Sequence, residues 1–327
     1  VEMLRFTLSG TETTYYAVKL AREFTGRPLI VKFEGHFHGF NDYLAYNYWP
    51  SLEEALPQVT PAVSGTPECL QQNCLVLPFN DFQRAEETLA ARGREIAAVI
   101  LEPVNYNSGT LLPEPGFLEL LRRLTSEYGA LLIFDEILSG FRTGPGCMQA
   151  TYGVTPDLCT LGKAVGGGLP LSAFGGKRSI MEHVAPLGQA QHSGTYNGHL
   201  TAILAGLAFF DAISDRSCYE DLLLRSQRLY DGVNEIMQRL GFTGRVQGLG
   251  ARFSFLFGPP AERRVRNYQD VVDHQWSLFY RFCAACLHHG VYIHTMWHHG
   301  LSMAHTDGDV DRALDGIESA LGEVMAQ

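Results

Sequence analysis

The chain has 327 residues, of which 46% are apolar and 18% charged, and its formal net charge at pH 7 is −10. That length and apolar content suffice for one large domain and a smaller one. The acidic balance, with no block of Lys or Arg, argues against a nucleic-acid partner, and no apolar run approaches the ~18–20 residues that span a bilayer.

The opening residues VEMLRFTLSG have no long apolar stretch and no small-residue cleavage site, so they do not read as a signal peptide. Ser9-Gly10-Thr11-Glu12 reads as a helix start: Ser9 caps, Glu12 completes a capping box, and the helical pattern runs to Phe24. Gly26 and Pro28 stop it. The bare N–H groups of Gly10 and Thr11 can also face an anion. Leu29–Phe33 has the pattern of a buried strand, broken by Glu34-Gly35-His36-Phe37-His38-Gly39, in which the glycines can place Phe37 against a flat ring. Tyr43–Gln72 is irregular and proline-bearing and reads as a long surface excursion.

From Leu75 the pattern alternates: strand Leu75–Phe79, helix Asp81–Arg92, strand Ile96–Glu102, helix Gly116–Tyr128, then strands Leu131–Phe134, Leu158–Leu161 and Leu171–Gly175. Such alternation predicts an α/β domain with a mainly parallel sheet covered on both faces. The glycine-rich stretch 192–198 opens a helix over His199–Ile213. A long amphipathic helix, Tyr219–Leu240, leads into strands Thr243–Gln247 and Phe253–Phe257 and helix Tyr268–His289. A short strand near Val291–His294 and a final helix from Asp307 follow. The expected division is a large domain over 1–218 and a small C-terminal α+β domain over 219–327.

The seven cysteines are scattered and odd in number, as expected of reduced thiols in a cytoplasmic protein. Cys283-x-x-Cys286 lies inside a helical pattern without a second ligand pair. His36-x-His38 and His298-His299 have no nearby carboxylate in a metal-site arrangement, so no metal is expected.

The chemistry-bearing residues collect at strand ends. Leu131–Phe134 ends on Asp135 and Glu136, and Leu158–Leu161 ends on Gly162 and Lys163 before the turn Gly166–Gly168. Ligands of open α/β sheets bind outside the carboxyl ends of the strands. An aspartate there can also be a turn residue, and the lysine a solvated charge or a salt-bridge partner. A phosphate loop of the G-x-x-x-x-G-K-[ST] type is excluded, since the spacing is absent and Ala164 follows Lys163. No G-x-G-x-x-G follows the first strand, and neither Leu138-Ser139-Gly140 nor Ser193-Gly194 supplies G-x-S-x-G. Pyridoxal phosphate chemistry remains coherent. That cofactor needs a lysine for a Schiff base, an aspartate beside its pyridine nitrogen, an anion cup and a flat contact on its ring.

Seven segments carry a resemblance to a known family: SGTETT (9–14), KFEGHFHGFND (32–42), LEPVNYNSG (101–109), LIFDEILSGFR (132–142), TLGKAVGGGLPLSAFGGK (160–177), SGTYNGH (193–199) and SMAHT (302–306). They span nearly the whole chain, in the family's order. The sequence resembles the class III aminotransferases of pyridoxal-phosphate fold type I, and within them is most similar to the glutamate-1-semialdehyde aminomutase branch. The resemblance implies that Lys163 carries pyridoxal 5'-phosphate as a Schiff base and that Asp135 pairs with the pyridinium. It makes Phe37 the stacking aromatic and Ile137 the contact on the other ring face. It gives phosphate contacts to Gly10 and Thr11 and places Asn107 near the ring hydroxyl. Glu102 belongs behind these residues, and His38 supports the ring-side loop. It also implies a homodimer in which Thr195 reaches the other subunit's phosphate site.

The sequence departs from the family pattern at four places. The family normally has a substantial segment before SGTE whereas this sequence starts eight residues before Ser9, as expected either of a fragment or of a naturally short form with a more open pocket. His298 stands where the aminomutase branch carries a glutamate, and His199-Leu200 replaces Asn-Pro. The C-terminal arginine loop with which many ω-transaminases grip a carboxylate also has no counterpart. The expected activity is transamination from a small amine or amino-acid donor to a keto acid, ketone or aldehyde acceptor, in ping-pong half-reactions. The rivals are an intramolecular aminomutase and a relative that binds the cofactor without turnover.

Overall fold

Residues 96–101 and 131–136 are buried at every position, which requires strands covered on both faces. They lie inside a seven-stranded sheet in a computed structural model that describes residues 1–51, 53–56, 58–215, 217–258 and 265–326. The chain divides into two units. One comprises residues 1–104, 112–141 and 145–214, and the other residues 105–111, 142–144 and 215–327.

The strands of the first unit are β1 (Met3–Thr7), β2 (Leu29–Phe33), β3 (Cys74–Leu77), β4 (Ile96–Leu101), β5 (Leu131–Glu136), β6 (Leu158–Leu161) and β7 (Ser172–Gly176). Their order across the sheet is β1-β7-β6-β5-β4-β2-β3. The pairs from β6 to β3 are parallel, and β7 and β1 extend one edge antiparallel. The helices are α1 (Gly10–Thr25), α2 (Phe82–Arg92), α3 (Phe117–Tyr128), α4 (Cys147–Tyr152), α5 (Arg178–Met181) and α6 (Leu200–Ala212). Helix α1 buries Ala17, Val18 and Ala21 against Ile30, Ala98, Ile133 and Phe174 of the sheet. Its start is a capping box displaced by one residue. Ser9 Oγ accepts from Glu12 N, while the Glu12 carboxylate accepts from Leu8 N rather than from Ser9. Gly26, at φ 68, closes the helix in the left-handed region.

The second unit contains α7 (Ser217–Leu240), β8 (Gly244–Leu249), β9 (Arg252–Phe257), α8 (Trp276–His288), β10 (His299–Gly300) and α9 (Asp307–Ala326). An antiparallel sheet of order β10-β9-β8 is covered by these helices around Phe253, Phe255, Phe257, Phe279 and Phe282.

Four features depart from the sequence expectation. The opening residues form strand β1, whose pairing with β7 is a non-local contact. Tyr43–Gln72 is not simply a surface excursion, because Leu44, Ala45, Tyr46 and Asn47 are buried and the Asn47 side chain bonds Gln58 O and Thr60 N. The single helix expected over 268–289 is broken into a 3₁₀ turn, Tyr268–Asp270, and α8. Between them His274 Nδ1 accepts from Phe257 N and Gln275 N donates to Phe257 O, so this stretch caps the end of β9 instead of coiling. No strand forms at 291–294, and the place beside β9 is taken by His299 and Gly300. Among the described residues no helix is long and apolar enough to cross a membrane.

Candidate active site

Strand β5 delivers Asp135 to its carboxyl end almost fully buried, at 3% exposure. Three donors hold the carboxylate. Thr160, the residue opposite Asp135 in the β5–β6 register, donates its hydroxyl to Oδ1 at 2.8 Å. The Ile137 N–H donates to the same oxygen at 3.1 Å, and His38 Nδ1 lies 2.7 Å from Oδ2. A carboxylate only accepts, so His38 carries its proton on Nδ1. Burial lowers the His38 pKa while the bond to Asp135 opposes that shift, and the imidazole is neutral at pH 7. Its Nε2 is buried without a partner among the described residues.

The loop carrying His38 is fixed from two sides. Thr14 on α1 donates its hydroxyl to His38 O at 2.6 Å, and Phe40 N donates to Thr11 Oγ1. Gly39 adopts φ +85 and lies so close to α1 that a Cβ there would sit 2.6 Å from Thr11 Cα. From the end of β4, Glu102 accepts from Phe37 N at 2.8 Å and donates its own N–H to His36 Nδ1 at 3.0 Å. Lys32, buried on β2, donates to the carbonyls of His36 and Tyr46 and fastens the start of the same loop. Desolvation lowers its ammonium to about 8.

Ile137 joins these parts to Lys163. A Cβ on Gly162 would meet Ile137 Cδ1 at 2.8 Å, and one on Gly10 would meet Ile137 Cγ2 at 3.1 Å. The start of α1 and the residue before Lys163 therefore both lie close against Ile137, the residue after β5. Lys163 opens a 3₁₀ turn, is exposed, and has φ +49, a left-handed conformation that costs a non-glycine residue about 1–2 kcal/mol. The Gly10 and Thr11 N–H groups stand in the first turn of a 16-residue helix and have no carbonyl four residues back in the helix to bond.

The first unit thus brings together Gly10, Thr11, Phe37, His38, Glu102, Asp135, Ile137 and, through Gly162, Lys163. Phe37 is half-buried and packs edge-on against Phe40 and Tyr48. Thr195 lies exposed in the turn before α6, and Asn107 is buried in a 3₁₀ turn that groups with the second unit. Thr160, Thr14 and Lys32 carry no role in the sequence reading. The register of β6 with β5 was the one signal that could have found Thr160.

These residues fit pyridoxal phosphate: a buried carboxylate with its acceptors organised, an exposed lysine on a strained turn, and a glycine-lined helix start with bare N–H groups. Fold and site together define a pyridoxal-phosphate enzyme of fold type I. The family model "Aminotransferase class-III" matches residues 1–321, and the chain belongs to that family of pyridoxal-phosphate-dependent enzymes. It is 41% identical over 323 residues to a glutamate-1-semialdehyde 2,1-aminomutase of Desulfitobacterium hafniense, which covers 98% of this chain and 74% of that one. Among solved structures, an omega-transaminase from Sphaerobacter thermophilus superposes with a TM-score of 0.93 at 34% identity, covering 99% of this chain and 75% of that one. A beta-phenylalanine aminotransferase from Variovorax paradoxus gives 0.86 at 31%, covering 100% and 71%.

Proposed function

We propose that the protein is a transaminase moving an amino group from a small amine or amino-acid donor to a keto acid, ketone or aldehyde acceptor in ping-pong half-reactions. The observation that carries this reading is the Asp135 carboxylate, buried and held by Ile137, His38 and Thr160, the last of which stands three residues before Lys163 on the neighbouring strand. Bound here, pyridoxal phosphate supplies an aldehyde that takes up the donor's amino group and a ring that withdraws electrons from the substrate Cα. Asp135 would face the ring nitrogen and keep its proton there. The Gly10 and Thr11 N–H groups would hold the phosphate, with Phe37 and Ile137 on the two ring faces and Asn107 at the ring hydroxyl. Lys163 Nζ would hold the cofactor between turnovers and, once displaced by the donor, would carry the proton from the substrate Cα to the cofactor's C4′.

The working form is proposed to be a cytoplasmic homodimer in which Thr195 contacts the partner's phosphate site. Support comes from the exposed apolar face around α6, where Tyr196, Leu200, Leu204 and Leu207 are each more than half exposed.

The identity to an aminomutase favours a second reading, an intramolecular amino shift. His298 weighs against it, since it puts an imidazole where that branch has a carboxylate. Turnover of an amine donor with and without pyruvate separates the two. Acceptor-dependent turnover is expected, and a product formed from a single substrate without acceptor would replace the proposal by the aminomutase. Lys163→Ala should abolish turnover and the visible absorbance of the bound cofactor; retained transamination overturns the assignment of Lys163.

A further inference from the structure

The second unit carries a half-open pocket of about 360 Å³, within the range of small-molecule sites. Its walls are mainly apolar, with Leu229, Ile293, Val310 and Ile317 among them. The polar groups that converge on it are Arg252 and four histidines, 294, 298, 299 and 305, with a single carboxylate, Asp309. That carboxylate is already engaged: it accepts from Thr306 N and Oγ1 at the start of α9 and pairs with Arg312.

Arg252 is the group left over. Gly300 faces it across the β9–β10 ladder, and a Cβ there would come within 2.9 Å of Arg252 Cδ, so the glycine leaves room for the guanidinium stem. The guanidinium is hydrogen-bonded to His298 Nδ1 at 3.4 Å, and among the described residues it makes no ion pair. Burial, and then the like charge of Arg142, hold its pKa down to about 10. Half-buried cations without a counter-ion are costly unless something anionic arrives. His299 points the same way. It is 6% exposed, its Nε2 has no partner among the described residues, and burial holds its pKa near 3, so the ring is neutral with one N–H to give.

We propose that this cavity binds the carboxylate of a small monoanion with an apolar body. Arg252 takes the carboxylate through its planar fork, His299 donates a further hydrogen bond, and the aliphatic wall covers the body. The carboxylate belongs to a ligand separate from the amino donor and acceptor.

The test is calorimetric titration of the cofactor-loaded enzyme with hexanoate, using hexan-1-ol as the neutral match. Saturable hexanoate binding, one site per chain, is expected to weaken about tenfold or more in Arg252→Met, with hexan-1-ol weak in both proteins. Equal hexanoate affinity in wild type and variant, no saturable binding to wild type, or hexan-1-ol binding as tightly as hexanoate would each overturn the proposal. Should Arg252→Met not fold, Arg252→Lys keeps the charge and loses the fork; it too should weaken hexanoate severalfold, and an unchanged affinity overturns the site. Hexanoate should bind with unchanged affinity at saturating alanine, and displacement of hexanoate by alanine would overturn the assignment to a separate ligand. The binding measurement needs no turnover, so it stands or falls independently of the proposed transamination.

Discussion

Thr160→Val isolates what holds the Asp135 carboxylate in place. Thr160 is fully buried opposite Asp135, and its hydroxyl donates to Oδ1 at 2.8 Å. Valine keeps the shape and replaces that donor by a methyl group. A hydrogen bond to a charged acceptor in a buried setting contributes about 1.5–3 kcal/mol. Thr160→Ser makes the opposite cut: it keeps the donor and loses one methyl, at a cost of about 1 kcal/mol. The isosteric variant should therefore be the less stable of the two. Urea unfolding of the cofactor-free protein, with both variants compared at one pH, gives the order directly. Because Asp135 is proposed to face the ring nitrogen, Thr160→Val should also weaken cofactor binding while Thr160→Ser leaves it near wild type. A valine variant as stable as wild type, or more stable than the serine variant, would refute the assignment of Thr160 as the carboxylate's donor.

Acid should destabilise the second unit through two histidines that burial holds down, His274 at about 4 and His299 at about 3. Unfolded, both titrate near 6.5, so the stability they carry is complete above that pH and is lost as pH falls toward 4 and 3, by about 1.4 kcal/mol per pH unit for each. Urea midpoints at pH 7, 6 and 5 measure the slope, and a slope unchanged in His274→Phe/His299→Phe speaks against this account. Gly39→Ala puts a Cβ 2.6 Å from Thr11 Cα at φ +85 and should cost more than ~1 kcal/mol while lowering cofactor affinity in an absorbance titration. Leu204→Asp, on the exposed face of α6, should convert the proposed dimer to monomer in sedimentation; a dimer that survives places the interface elsewhere.

The mainly parallel sheet was legible because its central strands are short apolar runs closed by polar or glycine residues, and such runs alternate with helical periods. The positions of Lys163 and Asp135 were legible for the same reason: each stands at the carboxyl end of a buried strand, where a sheet of this kind presents ligand-binding groups. The residues that orient them were not. Thr160, Thr14 and Lys32 act through partners on other elements, and only the register and the docking of α1 reveal those partners. The same holds for β10, which is two residues long and exists because β9 offers an open edge at Phe253 and Arg252. The break before α8 likewise depends on the end of β9, which a local helical pattern cannot register.

Asp135 and Glu136 show how the sheet resolves what adjacency leaves open. Side by side in the sequence, they look equally able to serve a site, but the strand continues through both, and successive side chains of a strand point to opposite faces. Asp135 turns to Thr160 and His38, while Glu136 turns to α4, where it accepts from Met148 N at 2.8 Å and Gln149 Nε2 at 3.1 Å. Burial raises the Glu136 pKa to about 7, against the pull of those donors. The two carboxyl groups therefore have separate tasks: Glu136 ties down α4, and Asp135 alone is presented with its acceptor oxygens ordered beside the turn that carries Lys163.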